Sequence, residues 1–239
     1  MSAPFLILET GEPVAALRRH GGFAHWIRHA AGLRADEAVV CRVGFGEPLP
    51  RDEGFAGVFV TGSAAMVTER RPWSESCAAW LRDAHATGVP LLGVCYGHQL
   101  LAHALGGEVG DNPRGREMGT VAIDCTEAAA SDPLFAPLPQ RFLAHATHQQ
   151  TVLAPPPGAL RLARSELDEW QAFRVGDSSW GVQFHPEFAT AAMRGYLLAR
   201  ADVLAAEGRD AAALRQAVRP TPWARSLLVR FVRHGRARG

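Results

Sequence analysis

Short apolar runs alternate with longer segments of helical pattern along the first half of the chain. Each run is hydrophobic at consecutive positions, which is typical of strands that are covered on both faces of a parallel sheet. The pattern predicts strands at 5–8, 38–43, 57–61 and 90–94, and helices at 14–31, 73–86 and 97–105. Gly21 and Gly22 interrupt the first of these helices. The alternation of strand and helix favours an α/β fold with a doubly wound, mostly parallel sheet.

The pattern changes after residue 107, where segments become shorter and prolines cluster. These features favour hairpin-like strands up to residue 183. Further elements are predicted as a strand at 180–184, a helix at 188–206, and two helices at 210–218 and 223–234. We therefore predict one domain over residues 1–205, with a helical, arginine-rich extension of the same domain over 206–239. The arginines of this extension are typical of a solvated helix face, with contact to a partner or to nucleic acid as the alternative.

The overall composition narrows the class of protein. Of the 239 residues, 47% are hydrophobic and 21% are charged, as in an ordinary globular domain. The 25 basic residues are all arginine and nearly balance 24 acidic ones, so a net charge of +1 gives no global signal for nucleic acid or an anionic membrane. No apolar run approaches the ~20 residues of a membrane span, and the first residues lack the pattern of a signal peptide. We therefore expect a cytoplasmic protein that binds neither membrane nor nucleic acid.

One of the four cysteines lies in a sequence that is typical of a nucleophile. The run Gly93-Val-Cys95-Tyr-Gly97 joins an apolar strand to a helix and matches the G-x-nucleophile-x-G elbow. Its glycines permit a tight turn, the helix N-terminus favours a thiolate, and the N–H of Tyr96 is free to bind an oxyanion. The alternative for a free cysteine is a buried structural role. We predict that role for the other three, Cys41, Cys77 and Cys125.

A thiolate nucleophile needs a base, and the base needs an orienting group. Both are present in His185-Pro186-Glu187, which follows the predicted strand at 180–184. Pro186 restricts the preceding histidine to extended geometry, and the carboxylate follows two residues later. A histidine at a strand end is by itself more often structural. In a chain that also carries the cysteine elbow, we predict that His185 and Glu187 complete a catalytic triad with Cys95.

The elbow and the His-Pro-Glu sequence together resemble the class I, triad-type glutamine amidotransferases, and in particular the glutaminase domains of GMP synthases. The resemblance covers roughly residues 5–200 and includes the segments 60–63, 115–119 and 171–173. It implies a flavodoxin-like fold in which Cys95 attacks the side-chain amide of glutamine and forms a γ-glutamyl thioester. It also implies that His185 transfers the proton, Glu187 orients His185, and the backbone N–H groups of Gly62 and Tyr96 hold the oxyanion.

The same resemblance implies a set of substrate-binding residues. These are Ser63, Gln99, His148 and Gln150. For Gln99 a solvated helix position is the alternative. Relatives carry His-Gly-Asp where this chain has His148-Gln149-Gln150, and a neutral Gln150 lacks the charge that an aspartate would offer to a substrate ammonium. His145 and His148 have the spacing of a metal pair, but no carboxylate or cysteine lies nearby in sequence, and we predict neither a metal nor a cofactor.

The predicted function is therefore that of a cysteine-dependent glutamine amidohydrolase over residues 1–205, which releases ammonia for an acceptor that the sequence does not identify. No nucleotide-binding loop is visible, and the residues after 200 are too few for a synthetase. We expect either that the partner is a separate synthetase subunit or that the enzyme works alone. An enzyme that works alone favours the alternative of a γ-glutamyl peptidase acting on glutathione-like substrates, because these present the same γ-glutamyl carbonyl. A non-catalytic regulatory module on the same fold is a further alternative.

Overall fold

The computed structural model describes residues 3–51 and 54–238, so the predicted outer limits at residues 1 and 239 lie outside it. Its eleven strands are β1 Phe5–Leu8, β2 Ala38–Cys41, β3 Gly57–Val60, β4 Leu91–Val94, β5 Glu108–Asp111, β6 Glu117–Cys125, β7 Arg141–His148, β8 Gln150–Ala154, β9 Leu160–Arg164, β10 Ala172–Val175 and β11 Ser179–Val182. Its seven α-helices are α1 Phe23–Ala30, α2 Pro72–Ala86, α3 Tyr96–Ala104, α4 Thr190–Ala199, α5 Ala201–Ala206, α6 Ala211–Gln216 and α7 Pro222–Arg238. Within the described residues, no helix is both long and apolar enough to span a membrane.

The central sheet has nine strands in the order β2-β1-β3-β4-β11-β10-β9-β6-β7. The strands from β2 to β11 are parallel neighbours, and β10, β9, β6 and β7 extend the sheet with antiparallel pairs. The short strands β5 and β8 form a separate antiparallel pair. The predicted α/β fold with a doubly wound sheet is confirmed, and the hairpin-like segment after residue 107 forms the antiparallel part.

Alternate residues of the first strand pack on opposite faces of the sheet, as the two-residue period of a strand requires. Phe5 and Ile7 belong to a core that includes residues of α1 and α7, whereas Leu6 and Leu8 belong to a core that includes residues of α2 and α3. All four side chains are at most 1% exposed. Because burying one such side chain contributes about 1.5–3 kcal/mol, each face of the strand holds one helical layer against the sheet.

The arginine-rich C-terminal segment contributes to this core through one face of α7. Phe231 is fully buried, and its ring lies 4.8 Å from that of Phe59 and 6.3 Å from that of Phe5. Gly235 lies so close to the residue before β3 that a Cβ there would collide with the carbonyl oxygen of Ala56. The segment after 205 therefore packs directly on the sheet, although the division at this residue stays a prediction.

The helix predicted over 188–206 is two helices in the structure. Arg200, with φ −112° and ψ 16°, leaves helical geometry between α4 and α5. The helical pattern of apolar residues and alanines continues across Arg200, so periodicity alone does not show that the helix ends there. As a result, Arg200 lies at the rim of the cavity described below.

The loops that follow the carboxyl ends of the parallel strands converge at one edge of the sheet. They are the segments after β1, β3, β4 and β11. In open α/β sheets ligands bind in the crevice outside these strand ends. The predicted nucleophile follows β4 and the predicted base follows β11, which is the neighbouring strand. The sheet order therefore brings residues 95 and 185 to the same crevice.

Candidate active site

Cys95 adopts a backbone conformation that side chains rarely occupy. It is the first residue before α3 and has φ 52° and ψ −103°. A Cβ at position 93 would collide with the carbonyl of Gly97, and a Cβ at position 97 would collide with the carbonyl of Val60. Only glycine fits at these two positions. A strained residue of this kind costs about 1–3 kcal/mol and persists where surrounding structure enforces it, which is common at functional sites.

His185 is held in place on three sides. Its Nδ1–H donates to Oε1 of Glu187 at 2.8 Å, and its backbone N–H donates to the carbonyl of His145 at 2.7 Å. The ring of Phe188 stacks on the imidazole with the ring centroids 4.1 Å apart. His185 and Glu187 are 2% and 3% exposed. The carboxylate therefore fixes both the tautomer and the orientation of the imidazole, and it leaves Nε2 as the nitrogen that can exchange a proton with a substrate.

The charges at this site favour a thiolate and an imidazolium. Burial lowers the pKa of His185, but the carboxylate of Glu187 and the Cys95 thiolate raise it to about 10. Burial raises the pKa of Cys95, but the neighbouring His185 imidazolium outweighs this and holds the pKa below that of an ordinary thiol. Burial raises the pKa of each of the other three thiols, Cys41, Cys77 and Cys125. Only Cys95 therefore has the electrostatic environment of a reactive cysteine.

Two backbone N–H groups beside Cys95 are available to an oxyanion. They belong to Gly62 and Tyr96, and neither is hydrogen-bonded to another group in the described part of the chain. The loop that carries Gly62 is fixed by Thr10, whose N–H donates to Oγ1 of Thr61 at 3.0 Å and whose hydroxyl donates to the Gly62 carbonyl at 3.0 Å. A Cβ at position 62 would lie 3.1 Å from Cε1 of His185, so glycine permits the close approach of the loop to the imidazole.

A cavity of about 290 Å³ opens above Cys95. Its walls include the predicted residues Tyr96, Ser63, Gln99, His148, Gln150 and His185, and Glu187 lies behind His185. The structure therefore brings the predicted site residues together, while their individual roles stay predictions. Its rim also carries four charged residues, namely Glu12, Arg18, Arg116 and Arg200, of which only Arg116 falls in a segment that carries the family resemblance.

Three of the predicted substrate-binding side chains use polar atoms to hold the cavity wall. The amide nitrogen of Gln99 donates to the Gln150 carbonyl at 2.7 Å and to Oε1 of Gln183 at 2.8 Å, which leaves Oε1 of Gln99 for a ligand. The Ser63 hydroxyl donates to the carbonyl of Thr10 at 2.9 Å. The amide of Gln150 donates to the side chains of Thr68 and Asp111. Residue 150 thus ties the wall to two neighbouring segments of the chain.

His148 lies at the back of the cavity and contacts acidic residues that sequence reasoning missed. Its Nε2 is 3.0 Å from Oε2 of Glu117, and its Nδ1 is 3.9 Å from Oδ2 of Asp168. Glu117 falls inside the segment 115–119 that carries the family resemblance, which is the one signal that could have indicated it. Asp168 has no such signal, because it lies in a polar loop between β9 and β10.

The two histidines with the spacing of a metal pair each contact another side chain. His145 is 3.2 Å from the Thr120 hydroxyl, and His148 is 3.0 Å from Glu117. Within residues 3–51 and 54–238, no group of three or more histidine, cysteine, aspartate or glutamate side chains is placed to hold a metal ion.

Comparison with known proteins agrees with this fold. Residues 19–202 match the family model for glutamine amidotransferase class-I. The chain therefore belongs to the class-I glutamine amidotransferase family, and the resemblance stated from the elbow and His-Pro-Glu sequences is confirmed.

The relatives include GMP synthases of two forms. The chain is 41% identical over 133 residues to the glutamine-hydrolyzing GMP synthase of Thermomicrobium roseum. This matched region is 56% of this chain but only 23% of that protein. It is 32% identical over 178 residues to a glutamine-hydrolyzing GMP synthase subunit of Methanococcoides burtonii, covering 74% of this chain and 87% of the relative. A crystal structure of a glutamine amidotransferase from Thermotoga maritima has the same fold, with a TM-score of 0.76, 24% identity and coverage of 97% and 99% of the two chains.

Proposed function

We propose that this chain hydrolyses the side-chain amide of glutamine to glutamate and ammonia, with Cys95, His185 and Glu187 as the catalytic triad. The observation that carries the proposal is the Cys95 thiol on a strained elbow, in the same cavity as an imidazole that a buried carboxylate holds at 2.8 Å. Membership of the amidotransferase family supports the choice of an amide carbonyl as the electrophile. The oxyanion donors and the cavity supply the remaining requirements of acyl transfer.

In the first half of the proposed reaction, the Cys95 thiolate forms a bond to the carbonyl carbon of the substrate amide. The negative charge moves to the amide oxygen, where the N–H groups of Gly62 and Tyr96 stabilise it as hydrogen-bond donors. The imidazolium of His185 gives its proton to the amide nitrogen, and the C–N bond breaks as ammonia leaves. The product on the protein is a γ-glutamyl thioester.

In the second half, neutral His185 accepts a proton from water, and the hydroxide that forms attacks the thioester carbonyl. The same two N–H groups hold the second oxyanion. The C–S bond then breaks, glutamate leaves, and the thiolate and the imidazolium are restored. Glu187 stabilises the charged imidazole at each stage and does not itself exchange a proton in this scheme.

We further propose that the ammonia is used by a separate synthetase subunit. The support is the relative of similar length, which is named as one subunit of a glutamine-hydrolyzing GMP synthase and is covered over 87% of its residues. The T. roseum protein is more than four times as long as the matched region, so most of that GMP synthase lies outside the match. Co-purification with a synthetase and glutamine-dependent product formation by the pair test this assignment.

A second candidate is hydrolysis of γ-glutamyl peptides, and the charge of the cavity rim favours it. The group attached to the leaving nitrogen must lie on the side of the general acid, His185. On that side, the ring of Phe188 stacks on His185, and the ring centroid of Tyr196 lies 4.9 Å from that of Phe188. Arg200 follows Tyr196 by one helical turn. A γ-glutamyl peptide carries a carboxylate on its leaving group, which a guanidinium can bind, whereas glutamine carries none there.

Side-by-side hydrolysis of glutamine and a γ-glutamyl dipeptide separates the two candidates. We expect ammonia release from glutamine to be abolished in Cys95→Ser and retained in Cys125→Ser, a matched control at a half-buried thiol. Faster hydrolysis of the dipeptide than of glutamine would favour the peptidase. If the folded wild type formed no thioester with either substrate, both candidates would be wrong and a non-catalytic module would be favoured.

A further inference from the structure

A buried polar cluster lies behind the nucleophile and outside the triad. We call it the rear cluster, and it consists of Glu117, His148 and Asp168, which are 3%, 4% and 2% exposed. The three residues come from β6, β7 and the loop after β9. Isolated charged groups are costly to bury, so such a cluster is retained only where charges and hydrogen bonds compensate one another.

The hydrogen bonds define the charge of His148. Its Nδ1 is 3.0 Å from the Gln150 carbonyl oxygen, which can only accept, so Nδ1 carries a hydrogen. Its Nε2 faces Oε2 of Glu117, and the same oxygen also accepts from the amide nitrogen of Gln171. The Ser165 hydroxyl lies 2.6 Å from the other carboxylate oxygen. With Glu117 as the acceptor from Nε2 and the Gln150 carbonyl as the acceptor from Nδ1, both ring nitrogens of His148 donate and the ring is an imidazolium.

The charges around His148 support this assignment. Burial lowers the pKa of His148, but its bond to Glu117 and the charges of Asp168, Glu117 and Cys95 raise it above the usual value. Asp168 is itself held by the Thr151 hydroxyl at 2.7 Å. A neighbouring histidine, His98 of α3, adds no positive charge near neutral pH, since burial lowers its pKa to about 3.

The cluster is oriented with its positive end towards the nucleophile. His148 lines the same cavity as Cys95, whereas Glu117 does not line that cavity and instead lines a separate cleft with Ser165. The charge of His148 accordingly lowers the pKa of the Cys95 thiol. His148 also shares the Gln150 carbonyl with the Gln99 amide, so the same ring fixes the wall beside the thiolate.

We propose that Glu117 is a positioning residue for the nucleophile, because it holds His148 as a cation that faces Cys95 and stabilises its thiolate. The thiolate would then be stabilised from two sides, by the His185–Glu187 pair and by the His148–Glu117 pair. The proposal rests on the proposed function only in taking Cys95 as the nucleophile. It assigns no contact between Glu117 and the substrate.

The pH dependence of Cys95 alkylation by iodoacetamide tests the proposal on the full chain. In Glu117→Gln we expect the midpoint for alkylation to rise by about one pH unit. The loss of the carboxylate 3.0 Å from Nε2 lowers the pKa of His148 by about 1–3 units, and the thiolate then loses a neighbouring positive charge. The matched control is Glu169→Gln, which removes the charge of a half-exposed carboxylate that lines the same cleft as Glu117 and pairs with Arg161. Its midpoint should equal that of the wild type. The acid limb of kcat/KM for glutamine should move with the alkylation midpoint.

An unchanged midpoint in folded Glu117→Gln would overturn the proposal. If that variant does not fold, the ring nitrogen chemical shifts of His148 in the wild type decide, since two protonated nitrogens at neutral pH are expected and a single one would contradict the assignment. Failure of the proposed function gives a different result. In that case glutamine is not hydrolysed, while the alkylation midpoint of Cys95 still shifts in Glu117→Gln.

Discussion

Replacing Glu187 by glutamine removes the charge that holds His185 while leaving an oxygen that can accept its Nδ1–H. The carboxylate lies 2.8 Å from Nδ1, and it is the first of the groups that raise the pKa of His185 towards about 10 against the effect of burial. Without that charge the pKa of His185 falls. The imidazolium beside Cys95 is then lost at a lower pH, and the pKa of the thiol rises. The direct repulsion between Glu187 and the thiolate acts in the opposite sense, but it is the smallest of the effects on Cys95.

The size of the effect follows from the distance and the burial. An opposite charge this close shifts a pKa by about 1–3 units, which corresponds to about 1.4–4 kcal/mol. We therefore expect Glu187→Gln to lower kcat/KM for glutamine about 10- to 1000-fold at neutral pH, with KM much less affected than kcat. The acid limb of kcat/KM, which reports thiolate formation in the free enzyme, should move to higher pH.

The assay is ammonia release from glutamine across the pH range, with wild type, Glu187→Gln and Glu37→Gln compared. Glu37 pairs with Arg236 away from the cavity, so its replacement controls for the loss of a charge. The pH dependence of the free energy of unfolding provides a second readout. The folded His185 pKa is raised, so its contribution to stability is full below the unfolded pKa near 6.5 and is lost as pH rises towards about 10. An acid limb that stays in place, with kcat/KM within about threefold of wild type, would refute the role given to Glu187.

Three other predictions test separate features. A glutamine-like electrophile should label Cys95 and spare Cys125, as read by peptide mass spectrometry, and labelling of both at equal rates would contradict selective activation. Gly62→Ala should lower kcat by about 100-fold or more, because its Cβ would lie 3.1 Å from Cε1 of His185 and would displace an oxyanion donor, and unchanged kcat would exclude that donor. Phe231→Ala should lower the free energy of unfolding by about 3–5 kcal/mol in denaturant titrations, whereas a change below about 1 kcal/mol would mean that α7 is dispensable to the core.

The parallel half of the fold could be predicted because its signals are local. Consecutive apolar positions indicate a strand that is covered on both faces, and the first strand, Phe5–Leu8, lies where the pattern places it. Gly21 and Gly22 likewise separate a 3-10 turn from α1, as their interruption of the pattern indicates. The order of the antiparallel strands was not predictable in this way. It depends on pairs such as β6 with β9, whose contact is set by side chains that are distant in sequence.

The same distinction between local and distant contacts applies to the site. The elbow at Cys95 and the pair His185–Glu187 are visible in sequence because each of these two motifs is contained within a few consecutive residues. The arginine at position 200 was hidden by a helical pattern that runs across it, and the bond between Thr10 and the Gly62 loop joins residues 52 positions apart. Such contacts exist only once the strand order is known.

Two imidazole–carboxylate pairs contribute to the wall of the Cys95 cavity, and they differ in how the chain brings the partners together. In His185–Glu187 the partners are two residues apart, whereas in His148–Glu117 they are 31 residues apart on paired strands, in direct register. Both imidazoles line the cavity of Cys95, and both carboxylates lie behind them. Because a buried thiolate must be compensated from within the protein, a local motif can supply the proton carrier while the sheet supplies additional positive charge. The wall of the site is therefore built both from a local sequence motif and from residues that are paired across the sheet, as His148 is with Glu117.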